Sequence, residues 1–66
     1  MDLYVNGVKE TSPSSLTIAQ LVADKGLRPD GLVVELNREI IKQEQWAATV
    51  LRDGDRLELL NFVGGG

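Results

Sequence analysis

The chain has 66 residues, 42% hydrophobic and 26% charged, with a net charge of -3 and neither histidine nor cysteine. A chain this short buries only about 60% of the surface it exposes when unfolded, which excludes a second domain and a large enclosed active site. Its seven basic residues are scattered from Lys9 to Arg56, so the concentrated positive charge that nucleic-acid binding needs is missing. The lack of cysteine excludes a disulfide framework and a thiolate nucleophile and favours a reducing compartment. No signal-peptide pattern or membrane-length apolar run is visible, so a cytoplasmic protein without membrane contact is expected.

In chain order, Leu3-Tyr4-Val5 leads into Asn6-Gly7 and then Val8-Lys9-Glu10. An Asn-Gly pair between β-prone segments is a strong hairpin signal, because both turn positions favour positive φ. Strands are expected over 2–6 and 8–12, with Pro13 ending the second. A helix follows. Thr17 and Gln20 have the spacing of a capping box, and Leu16 and Leu21 that of a hydrophobic staple. Ile18, Leu21, Val22 and Leu27 supply the apolar face while Gln20, Asp24 and Lys25 face water, with Gly26 as a left-handed cap and Pro29 preventing a restart.

Asp30-Gly31 opens a β-rich run, Leu32-Val33-Val34-Glu35-Leu36, which turns at Asn37-Arg38 into a short strand around 40–42. Residues 43–51 read as a short helical turn whose Trp46 covers an edge of the core. Asp53-Gly54-Asp55 is a turn, and a final strand is expected from Leu57 to Val63. Its long apolar run suits a central place in a mixed sheet. One helix on a four- or five-stranded sheet is an α+β arrangement, for which the β-grasp is the natural fold. Residues 1–63 then form the domain and 64–66 a flexible glycine tail.

The inventory leaves little for catalysis. Without histidine or cysteine there is no Ser-His pair and no thiolate. Asp53 and Asp55 are close in sequence, but turn chemistry accounts for both, and a metal site needs more converging oxygen ligands. Asn6-Gly7 lacks the spacing of a phosphate cradle and reads only as a hairpin turn.

The end of the sequence is the remaining distinctive feature. Gly64, Gly65 and Gly66 follow the final strand directly. A glycine run packs nothing and is expected to stay mobile until bound. Three residues extend roughly 10 Å, enough to carry a carboxylate into a narrow slot through which side chains would not pass.

Taken together, the order of elements and the ending resemble the ubiquitin-like sulfur carriers, and within them the thiamin-pathway carriers, the ThiS family. The resemblance spans the chain. It rests on Val5-Asn6-Gly7, Leu16-Thr17-Ile18-Ala19-Gln20-Leu21, Val34-Glu35-Leu36-Asn37, Ile41 before Glu44-Gln45-Trp46, Asp53-Gly54-Asp55-Arg56-Leu57-Glu58, and Phe62-Val63-Gly64-Gly65-Gly66. The resemblance implies a non-enzyme with no bound cofactor. An E1-like, ThiF-type enzyme would use ATP to adenylate the carboxylate of Gly66, with Gly65 and Gly64 recognised in the tail slot. Sulfur from a cysteine desulfurase or another donor would then replace AMP to leave a thiocarboxylate, delivered to a ThiG-type thiazole synthase.

Such a tail needs a docking surface. With Leu57, Leu59 and Val63 facing the helix, alternation places Leu60 and Phe62 on the opposite face as a partner patch beside the tail. Val63 adjoins them. The alternative is that the 43–51 segment covers that second face with Trp46. Rival readings of the whole chain are the small subunit of molybdopterin synthase, another sulfur carrier on this scaffold, and a TGS-like β-grasp binding module.

Overall fold

The computed structural model describes residues 1–62. Five strands and one α-helix are arranged as β1 (Asp2–Val5), β2 (Val8–Thr11), α1 (Ile18–Asp24), β3 (Leu32–Leu36), β4 (Glu39–Ile41) and β5 (Arg56–Asn61), with a 3₁₀ helix at Gln43–Ala48. The expectations for Val63 and the three glycines lie outside the described residues.

Both local signals around the helix operate as chemistry requires. The Gln20 amide donates to Thr17 Oγ1 at 3.1 Å and the Thr17 amide to Gln20 Oε1 at 2.8 Å, satisfying two backbone donors at once. At the other end Gly26 takes φ 68°. Its amide reaches the Ala23 carbonyl at 3.0 Å and the Leu27 amide reaches Val22 at 3.1 Å, the paired bonds of a Schellman motif. Leu27 therefore lies past the helix and folds back against the core.

The strand limits differ from the sequence spacing by a residue or two. β1 stops at Val5 because Asn6 and Gly7 take φ 51° and 82° as the turn itself. β4 starts at Glu39 because the turn consumes only Asn37 and Arg38, at φ 50° and 72°. β5 begins at Arg56, opposite Tyr4, and ends at Asn61, opposite the first residue of β3.

The sheet order is β2-β1-β5-β3-β4. β5 runs parallel to β1 and antiparallel to β3, and these two strands are joined only through it. The last strand in the sequence is thus the centre of the sheet. Leu3 and Val5, Leu32 and Val34, and Leu57 and Leu59 point to one face, where Ile18, Leu21 and Val22 of the helix close over them. Trp46 is only 4% exposed in this core, and its indole N–H donates to the Ile41 carbonyl at 2.9 Å. The mixed five-stranded sheet with a helix across one face is a β-grasp.

One turn carries visible strain. Arg38 sits in the left-handed region, which costs a residue with a Cβ about 1–2 kcal/mol. Asn-Gly, which this turn lacks, is the preferred pair for it. Arg38→Gly is expected to raise stability by about 0.5–1 kcal/mol once the entropy of the added glycine is deducted. Chemical denaturation would show this as a higher midpoint, and an unchanged or lower midpoint would contradict it.

Candidate functional site

The final strand decides what the end of the chain can present. Leu57 and Leu59 are buried, at 1% and 8% exposure. Leu60 and Phe62, on the alternate side, are 39% and 68% exposed. Leu60 stands opposite Val33 on β3, and the Phe62 amide still donates to the Gly31 carbonyl at 2.7 Å. Leu60, Val33 and Phe62 thus form an apolar corner of the open face at the end of β5. The other end of that face is charged, with Glu35 opposite Glu58, and Arg56 stacked 4.4 Å from the centre of the Tyr4 ring.

The 43–51 segment does not cover this face. The Ile18 amide donates to the Thr49 carbonyl at 3.0 Å and the Leu51 amide to Leu16 at 2.8 Å, tying the segment to the start of the helix. Trp46 is consequently inside the core on the helix side. Of the residues expected at the site, Leu60 and Phe62 are brought together, while Val63, Gly64, Gly65 and Gly66 lie outside the described residues.

The turn asparagines have a part that sequence reading missed. Beyond Val5 the main chain of β1 turns away from β5. There the Leu59 amide donates to Asn6 Oδ1 at 2.8 Å, and Asn6 Nδ2 donates to the Leu59 carbonyl at 3.3 Å. At the opposite end of β5, Asn37 Oδ1 accepts from the Arg56 amide at 3.0 Å, and its Nδ2 donates to Asp55 Oδ1 at 3.1 Å. Each residue was legible only as a turn former, since nothing local signals a partner 53 or 19 positions away.

The Asp53–Asp55 loop is occupied with backbone. Asp53 Oδ1 accepts from the Asp2 amide at 2.6 Å and Asp55 Oδ2 from the Arg52 amide at 2.7 Å. Among the described residues no group of three or more Asp and Glu side chains gathers in a way that could hold a metal. No helix among them is long and apolar enough to cross a membrane. On the helix side, a groove of about 510 Å³ runs beside the end of β5, with Asn6 and Leu59 in its wall and the Lys25–Glu10 ion pair, at 2.6 Å, on its rim.

A model of the ThiS family matches residues 3–66, which takes in the glycines. The chain belongs to the ThiS family. The membership bears out the resemblance read from the sequence. The sulfur carrier protein ThiS of Escherichia coli is 27% identical, with both chains covered completely. The crystal structure of the thiamine biosynthesis protein ThiS from Geobacter metallireducens is 38% identical and superposes at a TM-score of 0.86, again over the whole of both chains. A thiazole synthase of Paramagnetospirillum magneticum is 35% identical over all 66 residues. The chain spans about a fifth of the length of the curated thiazole synthases it matches.

Because the Phe62 side chain is mostly in water, replacing it should leave the domain standing. Phe62→Asp is expected to shift stability by no more than about 0.5 kcal/mol. Thermal unfolding checks this, and a loss of several kcal/mol would mean that the ring packs into the fold.

Proposed function

We propose that this chain carries sulfur as a thiocarboxylate on Gly66, formed by adenylation and surrendered to a thiazole synthase. The observation that carries this reading is the family match running through the glycines to residue 66. The residue inventory supports it: a protein with neither cysteine nor histidine must hold sulfur on some other atom, and a carboxylate carbon serves.

The steps balance without a redox partner when sulfide is the donor. A carboxylate repels nucleophiles, so it is first joined to the α-phosphate of ATP, releasing pyrophosphate. Hydrosulfide then attacks the acyl carbon. The C–S bond forms, the C–O bond to AMP breaks, AMP leaves, and a proton is lost to give the thiocarboxylate. When a desulfurase persulfide attacks instead, the product is an acyl disulfide, which an added thiol must cleave. The chemistry belongs to an E1-like enzyme that binds ATP, while this chain contributes the acceptor and the surface by which it is held. Glycines 64 and 65 let the backbone enter a slot too narrow for a Cβ.

The curated thiazole synthases that contain a segment similar to this chain support thiazole synthase as the recipient, since joining two partners raises their effective concentration. The apolar corner of Leu60 and Phe62, with Val63 adjoining, is the surface we assign to docking. Two exposed apolar side chains beside the tail suit the desolvated centre of a protein interface.

Intact mass after incubation with a ThiF-type enzyme, ATP and sulfide tests the proposal. A gain equal to replacement of one oxygen by sulfur is expected, absent when Gly66 is deleted. No gain with an enzyme active on another carrier would overturn it. Phe62→Asp should in addition bind that enzyme at least about tenfold more weakly, the loss expected when a central aromatic anchor becomes charged. An unchanged affinity in a titration would remove Phe62 from the interface.

A further inference from the structure

Along the β1 side of β5 the hydrogen bonds continue past the point where β1 itself ends. The Tyr4 amide donates to the Asp55 carbonyl and the Asn6 amide to the Leu57 carbonyl, each at 2.9 Å. The next step of the ladder, at Leu59, has no backbone partner from β1, because Asn6 at φ 51° is already turning toward β2. The Asn6 carboxamide fills that place, accepting from the Leu59 N–H and donating to its C=O. It reproduces the donor and acceptor of a strand residue. At Leu59 β5 is thus held on one side by a side chain and on the other by β3, whose pairing continues to Asn61 and is followed by the Phe62 bond to Gly31.

We propose that Asn6 is a positioning residue for sulfur loading: its carboxamide fixes the Leu59–Phe62 segment before the adenylating enzyme binds. This rests on the carrier function proposed above. An enzyme that docks on Leu60 and Phe62 while receiving the glycines needs both at a set offset from the sheet. If the end of β5 frays part of the time, the apparent affinity falls by the fraction that is competent. Once bound, the carrier is in the competent form and turnover is unchanged. The turn requirement and the grip are separable. Glycine accepts the positive φ of position 6, and Gly-Gly forms the same kind of turn, so removing the side chain deletes only the grip.

The test compares wild type, Asn6→Gly and Thr17→Ala, the last a destabilised control whose lost cap is at the start of the helix, whereas Lys25 and Leu27 beyond its other end line the groove with Asn6 and Leu59. Backbone amide exchange of the free proteins and steady-state adenylation by a ThiF-type enzyme, well below each midpoint, are the two readouts. Asn6→Gly is expected to speed exchange at Leu59 and raise KM for the carrier roughly threefold to tenfold, the range set by one net hydrogen bond, with kcat unchanged. Thr17→Ala should leave KM where it was. Asn6→Asp, which keeps the acceptor for the Leu59 amide but loses the donor, should fall between wild type and glycine. Faster exchange at Leu59 with an unaltered KM would overturn the positioning role, as would an equal rise in KM for Thr17→Ala. Unaltered exchange at Leu59 would overturn the grip itself. If wild type is not adenylated, the carrier proposal fails while the exchange result still judges the grip.

Discussion

The insertion of the last strand between the first and third is the constraint on which the rest of the structure depends. β1–β2 and β3–β4 are each local hairpins, and an isolated two-stranded hairpin is marginal in water. They share a sheet only because β5 bonds to both. Its Leu57 and Leu59 lie under the helix, and burying one such side chain is worth about 1.5–3 kcal/mol. In a domain this small, whose whole stability amounts to a few such terms, the central strand decides whether there is a fold at all.

The same strand precedes the glycines in sequence, so in the proposed role the segment that stabilises the domain also leads into the one that carries sulfur. Its two faces divide the work. Leu57 and Leu59 hold the core, while Leu60 and Phe62 are exposed. The two turn asparagines extend this arrangement, each completing hydrogen bonds of β5 that the neighbouring main chain does not reach. A carrier needs no pocket with perturbed acids and bases. It needs a rigid body, and in the proposed role most of this chain supplies one.

Much of this was legible in the sequence because its causes are local. Thr17, Gln20 and Gly26 mark the helix through bonds spanning three to five residues. Asn6-Gly7 marks the first hairpin through its own φ preferences, and Asn37 marks the second. The apolar run of β5 pointed to its central position. What was not legible depends on distant partners. The side on which Trp46 packs follows from the bonds that tie residues 49 and 51 to the helix start. The second role of Asn6 depends on Leu59, across the whole length of the domain. A residue already explained by its turn gives no sign that its side chain has a further partner.

The most direct measurement follows the sulfur itself. The chain is loaded with isotopically labelled sulfide, purified, and given to a ThiG-type thiazole synthase with its remaining substrates. The account predicts that label appears in the thiazole while the chain returns to the mass of its carboxylate form. Thiazole formed with another loaded carrier, while the label stays on this chain, would contradict it.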